Sequence, residues 1–155
     1  MKVLLTCTSI EDTSRTEDSP DSHYPLGLAY LHSYLEKHSD HEVETHFLNN
    51  VDKDTCFNKI KEEIETFQPD IVGISIMTFS RTSSYKMIEY LTENHPHIKI
   101  VLGGMHPTVM WKNMLKKYTD CVIVVGEGEI TFHELLDCYE NEGDLSKISG
   151  IAYHN

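Results

Sequence analysis

The 155-residue sequence predicts an α/β domain built on a doubly wound parallel sheet. Three observations support this prediction. Five short apolar segments alternate with five longer segments whose apolar residues recur at helical spacing. The short segments are largely apolar on both faces, as strands covered by helices on two sides usually are. The intervals between successive strands are long enough for the right-handed helical crossovers that connect parallel strands.

The first predicted strand–helix unit contains the longest loop. The strand covers residues 2–7, and a polar stretch rich in Ser, Thr and Asp follows at residues 8–23. Structureless loops of this length are usually functional or disordered. A helix is predicted over residues 24–37, because leucines recur there at helical spacing and Pro25 lies in the first turn, where proline is tolerated.

Two further units follow in the same order. Residues 41–48 alternate between apolar and polar side chains, which is typical of an edge strand, and residues 54–67 form an amphipathic helix. Residues 70–77 are predicted to be a second buried strand. The next helix is predicted over residues 80–94, and Pro96 marks its end.

The last two units complete the predicted sheet. The strand at residues 98–102 runs directly into two glycines, and the helix after it is predicted over residues 109–117. The fifth strand covers residues 121–125, and the last helix covers residues 130–139. Together these elements match a flavodoxin-like (Rossmann-like) fold with a five-stranded parallel sheet of order 2-1-3-4-5.

The end of the chain does not continue this pattern. Residues 1–143 account for the predicted fold. The tail at residues 144–155 fits no further strand–helix unit and ends in the apolar stretch Ile151-Ala152-Tyr153. We therefore expect residues 144–155 to be a linker toward a further C-terminal domain that this chain does not contain.

The charge and the cysteines limit the class of partner. The chain carries 25 acidic and 13 basic residues and a net charge of −12. This argues against nucleic acid or an anionic membrane as a partner, because either needs a basic patch.

No apolar run approaches the roughly 20 residues of a transmembrane helix. The cysteines are widely spaced, so we expect reduced, buried thiols in a cytoplasmic protein at Cys7, Cys56, Cys121 and Cys138.

Gly103 and Gly104 are the first candidates for the floor of a binding site. Ligands of open parallel sheets lie at the carboxyl ends of the strands. Two glycines there remove side chains and let a flat ligand approach the main chain. Gly73 and Ser75 on the neighbouring strand extend this side-chain-poor region into a narrow gap, and Thr78 supplies a nearby hydroxyl.

Three functions hosted by such folds need residues that this sequence lacks. A phospho-receiver domain needs acidic residues after the first strand and an Asp at the end of the third, where Ser75 stands. An FMN-binding flavodoxin needs a Gly-bearing phosphate loop after the first strand, and residues 8–14 contain hydroxyls but no Gly. A dinucleotide fingerprint needs a third glycine, which residues 126–131 lack.

Two carboxylates after the fifth strand indicate a different ligand. Glu127 and Glu129 would repel pyrophosphate and suit a ligand that presents hydrogen-bond donors, such as primary amides. A corrinoid presents a ring of primary amides and carries a nucleotide tail that needs a narrow slot beside the sheet. The side-chain-poor gap at Gly73, Gly103 and Gly104 could form such a slot. The alternatives that stay open are a flavodoxin-like regulatory or interaction module without corrinoid and an FMN-binding protein.

Five sequence segments stand in a recognisable order along the chain. They are YPLGLAYLHSYL (residues 24–35), PDIVGISIMT (69–78), VLGGMHPT (101–108), VVGEGEITFHELL (124–136) and ISGIAY (148–153). In this order they resemble the N-terminal cobalamin-binding (B12-binding) domain of B12-dependent radical SAM proteins. That group includes the anaerobic magnesium-protoporphyrin monomethyl ester cyclase type and many methyltransferases.

The resemblance implies a cofactor-binding domain that is not itself catalytic. Cobalamin would lie over the carboxyl edge of the sheet. S-adenosylmethionine and a 4Fe-4S cluster would bind only in a following radical SAM domain, the second expected partner, whose substrate and reaction stay open. The residues expected to contact cobalamin are Thr8, Tyr24, Leu26, Gly27, Leu28, Gly73, Ser75, Met77, Thr78, Gly103, Gly104, His106, Pro107, Gly126, Glu127, Gly128 and Glu129.

His23 is a candidate axial ligand of the cobalt. Mutases and methionine synthase resemble this fold but carry Asp-x-His-x-x-Gly after the first strand, and their His replaces the benzimidazole on cobalt. Here Asp21, Ser22 and His23 lie in the corresponding loop, with one residue too many before Gly27. Radical SAM relatives generally lack this ligand. The two interpretations are a neutral imidazole on cobalt, oriented by Asp21, and a solvated loop histidine.

Overall fold

A computed structural model describes residues 1–10 and 25–154 of the chain. Within these ranges a six-stranded sheet has the order β2-β1-β3-β4-β5-β6. Its first five strands are parallel and the sixth is antiparallel to β5. The strands are β1 (Lys2–Cys7), β2 (Glu42–Phe47), β3 (Ile71–Ser75), β4 (Lys99–Gly103), β5 (Cys121–Val124) and β6 (Ile151–Ala152). The predicted α/β class and the order 2-1-3-4-5 are therefore confirmed.

Four α-helices connect the five parallel strands, a fifth follows β5, and together they cover both faces of the sheet. They are α1 (Leu26–His38), α2 (Lys53–Phe67), α3 (Arg81–Asn94), α4 (Met105–Lys117) and α5 (Glu129–Glu140). Short 3-10 turns precede α3 at Thr78–Ser80 and follow α5 at Leu145–Lys147. In the part of the chain that the structure describes, none of the helices combines the length and apolar character needed to cross a bilayer.

The last residues add a strand that the sequence analysis did not predict. Ala152 pairs with Ile123 and Ile151 pairs with Val124, and the amide of Val125 donates a 2.8 Å hydrogen bond to the carbonyl of Gly150. A two-residue strand is too short for its alternation to be seen in a sequence. The tail thus protects one edge of the sheet. Its expected role as a linker toward another domain stays a prediction.

Two hydrophobic cores lie on opposite faces of the sheet. On one face, side chains such as Leu5 and Val101 pack against α1 and α5, with Leu35 and Leu135 fully buried. On the other face, α2, α3 and α4 pack against the alternate strand residues, such as Leu4. Strand residues alternate between the two faces, so both helical layers are needed to bury the sheet.

Helix α4 begins earlier than the sequence analysis predicted. We expected it from residue 109, whereas Met105 is its first residue and Gly104 is its N-cap. Pro107 falls in the first turn, where a missing amide leaves no helical hydrogen bond unmade. The prediction was wrong because Pro107 was interpreted as a residue of the preceding loop. His106 is consequently a helical residue, which fixes the direction of its side chain.

Position 104 requires a glycine, because of its backbone conformation and because of the atoms close to it. Its φ of 93° lies in the region that residues with a side chain rarely adopt. A Cβ atom at this position would lie 2.9 Å from the carbonyl oxygen of Ile76 and 3.0 Å from its nitrogen. The turn after β4 therefore packs directly against the main chain that follows β3.

The two-layer packing predicts a large effect of truncating a buried isoleucine. Ile60 of α2 is fully buried, so Ile60→Ala should lower the free energy of unfolding by about 2–5 kcal/mol in urea denaturation. Ile130 on α5 is 62% exposed and serves as the matched control, with an expected loss below about 0.5 kcal/mol. Equal losses in the two variants would contradict this assignment of the core.

Candidate ligand site at the carboxyl edge of the sheet

An open cavity of about 280 Å³ lies between the carboxyl end of the sheet and helices α1 and α5. We refer to it as the cavity. Strands β1, β3, β4 and β5 form one wall, and the first turns of α1 and α5 form the other. The segments after β4 and β5 reach its mouth with Met105, Thr108 and Glu127. The cavity thus opens at the end of the sheet where ligands of parallel α/β folds bind.

The cavity exists because glycines replace side chains along its walls. A Cβ atom added to Gly103 or to Gly27 would have no atom within 4 Å. At Gly73 a Cβ atom would lie 2.8 Å from Cδ2 of Leu5 and 3.5 Å from Cζ of Phe132. Gly73 therefore lets neighbouring side chains approach the strand, whereas Gly103 and Gly27 border open space.

The strand register divides the cavity into a mouth and a deep half. Ser75 and Gly103 pair at the last position of the β3–β4 ladder. Two residues below them on the same face, Gly73 pairs with Leu5 on one side and Val101 on the other. Because Ser75 lies above Gly73 in this register, its hydroxyl belongs to the mouth. The deep level of the strand wall is lined by apolar residues and glycine.

The mouth is fixed by hydrogen bonds between the turns that form it. The amide of Gly126 donates to Oγ1 of Thr108 at 3.1 Å, which joins the β5–α5 turn to α4. The amide of Ile76 donates to the carbonyl of Gly103 at 2.8 Å, which joins the segment after β3 to the end of β4. Glu129 lies in the first turn of α5, where its carboxylate complements the positive end of the helix dipole.

Most of the predicted contact residues line this cavity. They are Gly27, Leu28, Gly73, Ser75, Gly103, Gly104, Gly126, Glu127, Gly128 and Glu129. The glycine floor and the two carboxylates, which are far apart in the sequence, are thus brought to one place. Whether each of them contacts a ligand stays a prediction.

The other predicted residues that the structure describes do not line the cavity. Thr8 is 1% exposed, and its hydroxyl lies 2.7 Å from the Ser84 hydroxyl on the α3 side of the sheet. Pro107 is buried in the first turn of α4. Leu26 and Met77 are exposed near the mouth, and Thr78 lies in the 3-10 turn before α3. Tyr24 and the candidate cobalt ligand His23 fall outside the described residues, so their roles stay predictions.

His106 connects two turns and does not line the cavity. Its Nε2 atom lies 2.7 Å from the Tyr85 hydroxyl, and its Nδ1 atom lies 3.4 Å from Oγ1 of Thr78. Its amide donates to the carbonyl of Ile76 at 3.1 Å. Burial, and secondly the charge of Arg81, lower the pKa of the imidazole below its ordinary value of 6.5. His106 is therefore a neutral residue that holds the turn after β4 against the turn after β3.

The sequence analysis did not predict several residues of the deep half. Leu31 lies four residues after Gly27 on α1, and Phe132 lies four residues after Gly128 on α5. Residues at this spacing share a helix face, so both follow from the glycines once the helix faces are known. Leu5 and Val101 follow from the register with Gly73. No pattern in the sequence indicated that Thr108 would line the cavity.

Large apolar side chains are exposed at the end of the domain where the cavity opens. All seven that stand out among the described residues come from segments at the carboxyl end of the sheet or from the first two turns of the helices that begin there. They are Leu26, Tyr30, Met77, Phe79, Met105, Val109 and Ile130, with 41–70% of each exposed. We call this set the apolar rim. Exposed apolar residues concentrated at one end of a domain indicate a surface that is covered in the functional protein.

The lowered pKa of His106 predicts a loss of stability in acid. The unfolded chain takes up a proton at the ordinary pKa of 6.5, whereas the buried imidazole resists protonation, so the free energy of unfolding should fall as the pH drops below 6.5. His106→Gln should show a shallower fall between about pH 8 and about pH 5 in urea denaturation.

The pH experiment needs a matched control, because burial also lowers the pKa of His41 and acts in the same direction. His41→Gln separates the two contributions, because it should leave the His106 part of the fall in place, and the double variant should show the shallowest profile. A His106→Gln profile that parallels the unchanged protein would show that His106 does not contribute.

Comparisons with known proteins identify the family of the chain. The family described as B12 binding domain matches residues 16–136. An uncharacterized methyltransferase of Pyrococcus horikoshii is 33% identical over 131 residues, which are 83% of this chain and 28% of the relative. The anaerobic magnesium-protoporphyrin IX monomethyl ester cyclase of Rubrivivax gelatinosus is 32% identical over 134 residues, which are 83% of this chain and 24% of the relative. The chain thus spans about a quarter of each relative.

Solved structures have the same fold. The cobalamin-dependent S-adenosylmethionine radical enzyme OxsB, with aqua-cobalamin bound, superposes with a TM-score of 0.80 at 25% identity over 98% of this chain and 20% of that chain. The radical S-adenosylmethionine methyltransferase TsrM from Kitasatospora setae, with cobalamin and a 4Fe-4S cluster bound, has a TM-score of 0.77 at 20% identity, covering 97% and 28%. The FMN-binding and regulatory alternatives receive no support from these comparisons. The chain belongs to the B12-binding domain family.

Proposed function

We propose that this domain holds cobalamin with its nucleotide tail in the cavity and its corrin ring across the carboxyl edge of the sheet. The observation that supports this most directly is the open space at Gly103 and Gly27, where a side chain would have no neighbour within 4 Å. Part of a ligand can lie there where a side chain would otherwise stand. The residues present therefore fit the cofactor of the family.

The polar groups at the mouth have the chemistry that a corrinoid requires. The hydroxyls of Ser75 and Thr108 can donate to the phosphodiester of the nucleotide tail. Glu127 and Glu129 accept hydrogen bonds and match the primary amides at the corrin periphery. Met77 and Met105 offer exposed, adaptable apolar surface beside the same edge.

The domain positions the cofactor and takes no other part in the reaction. Bound cobalamin supplies a reactive cobalt centre, and this chain supplies the surface that orients it. We propose that the parent protein is a radical SAM methyltransferase or cyclase, with S-adenosylmethionine and the 4Fe-4S cluster in a separate domain. The four free cysteines support a reducing, cytoplasmic location.

The apolar rim supports a second contact within the same parent protein. It extends beyond the cavity to Tyr30 on α1 and Val109 on α4, both more than 60% exposed. The relatives are about four times as long as the matched region. We propose that the radical SAM domain packs on the rim and encloses the cofactor, with residues 144–155 as the linker. Enclosure would exclude water from the cobalt centre.

Gly103→Val tests the proposed use of the cavity. The added methyl groups would project into the space that the nucleotide tail needs, while the position at the end of β4 tolerates a β-branched residue. We expect hydroxocobalamin to co-elute with the unchanged protein in gel filtration and the variant to bind it about tenfold more weakly or worse in visible-absorption titrations.

The matched control for this experiment is Ser33→Val. Ser33 is exposed on α1 and does not line the cavity, so its variant should bind hydroxocobalamin like the unchanged protein. Absence of co-eluting corrinoid from folded, unchanged protein would refute the proposed function. Unimpaired binding by Gly103→Val would refute the placement of the tail in the cavity.

A further inference from the structure

We infer that Glu44, His46 and Glu63 bind a divalent transition-metal ion, such as Zn²⁺, between the edge strand β2 and helix α2. We call these three residues the β2–α2 cluster. Each offers one ligand atom, and the three atoms lie within 4.8 Å of one another. None of the three residues lines the cavity. The inference is therefore independent of the proposed function.

Two ligands of the cluster come from β2 and the third comes from α2. Glu44 and His46 are two residues apart, so their side chains project from the same face of the strand. The register pairs them with Leu4 and Thr6 of β1, and Leu4 belongs to the core that α2 covers. The Thr6 hydroxyl donates a 3.0 Å hydrogen bond to the carbonyl of His46. Glu63 approaches from the helix, so regular structure positions all three ligands.

The distances within the cluster suit a first-row metal ion. The Nε2 atom of His46 lies 3.6 Å from Oε2 of Glu44 and 3.4 Å from Oε2 of Glu63. Bonds of about 2.0–2.2 Å to zinc at tetrahedral angles separate two ligand atoms by about 3.4 Å. The nitrogen therefore already lies at the separation that two ligands of one ion take. Three protein ligands leave a position for water, as in zinc sites that are open to solvent.

The charges of the cluster also favour a divalent ion. Both carboxylates face the same imidazole nitrogen, and a neutral imidazole can donate from that nitrogen to only one of them. The side chains of His46 and Glu63 are 28% and 24% exposed, so water screens the repulsion between the carboxylates only in part. A bound dication would accept the nitrogen lone pair and neutralise both carboxylates at once.

The donor atoms indicate the class of metal. One imidazole nitrogen and two carboxylate oxygens are typical ligands of Zn²⁺ and its first-row neighbours. Mg²⁺ and Ca²⁺ prefer oxygen ligands throughout, and Cu⁺ prefers sulfur. We therefore expect the cluster to bind Zn²⁺ and to discriminate against Mg²⁺.

A second group of possible ligands, His41, Asp137 and Glu140, is less suitable. The α-amino group of Met1 lies 3.3 Å from Nδ1 of His41 and 3.7 Å from a carboxylate oxygen of Glu140. A positive charge therefore already faces these groups. The side chains of Asp137 and Glu140 are 54% and 52% exposed, more than either carboxylate of the β2–α2 cluster.

Calorimetric titration of the chain with Zn²⁺ at neutral pH tests the inference. We expect one saturable site that excess Mg²⁺ does not displace. His46→Gln removes the nitrogen ligand and should weaken Zn²⁺ binding at least about tenfold. Glu63→Gln removes one carboxylate with almost no change of shape and should have a similar effect. Glu63 is a partly exposed helical residue, so its variant keeps the test available if His46→Gln fails to fold.

Two variants serve as matched controls. His32 lies 3.4 Å from a single carboxylate, that of Glu36, and is 27% exposed, so His32→Gln should keep the Zn²⁺ affinity. Glu62 is exposed beside Glu63 on α2 and does not belong to the cluster, so Glu62→Gln should keep it as well. Circular dichroism of each variant establishes that it is folded.

Absence of saturable Zn²⁺ binding by the folded, unchanged protein would overturn the inference. Full affinity in a folded His46→Gln or Glu63→Gln variant would do the same, because the ion would then bind elsewhere. Equal losses in the control variants or displacement by Mg²⁺ would also contradict it. Hydroxocobalamin binding should be unchanged in His46→Gln and Glu63→Gln, so the metal site and the proposed function can fail separately.

Discussion

The site depends on a difference in side-chain volume between the two faces of the same strands. On the α1–α5 face, β3 and β4 present Gly73 and Gly103 toward the carboxyl end. On the opposite face, Ile74 and Leu102 pair at the intermediate level and are 1% and 0% exposed. Alternation along a strand separates these sets by a single residue. The sheet is therefore densely packed on one face, whereas the other face is packed by Leu5 and Phe132 at Gly73 and borders open space at Gly103.

This arrangement lets the domain keep a cavity without losing its core. Large apolar residues of α2, α3 and α4 bury the face without the cavity, and the lower half of α1 and α5 packs tightly below it. The turns around the mouth are joined by main-chain bonds and by His106. A site whose walls are held in place needs little ordering when a ligand enters, which favours affinity.

The sequence predicted the features that follow from periodicity and from glycine. The strand order, the glycine pair and the carboxylates at 127 and 129 were recognised because strand ends of a parallel sheet meet at one edge. The direction of the His106 side chain was not predicted. It depends on where α4 begins and on the contact with Tyr85, which is distant along the chain. Nothing in the sequence distinguishes Leu31 and Phe132 from ordinary core residues, and only the structure places them beside the cavity. The strand β6 is too short to give a pattern.

The apolar rim and the cavity lie at the same end of the domain and make two different chemical demands on what binds there. The rim offers apolar area that a single domain would not leave uncovered, and the mouth offers hydroxyls and carboxylates for a ligand that carries both a phosphodiester and amides. The proposed corrinoid, enclosed by the proposed second domain, would meet both demands. Neither feature alone would distinguish this domain from others with the same sheet order.

The most direct test is a crystal structure of this chain with hydroxocobalamin. We expect electron density for the nucleotide tail in the cavity between Gly103 and the first turns of α1 and α5. A complex in which the cofactor lies elsewhere on the sheet edge, with the cavity unoccupied by the tail, would contradict it.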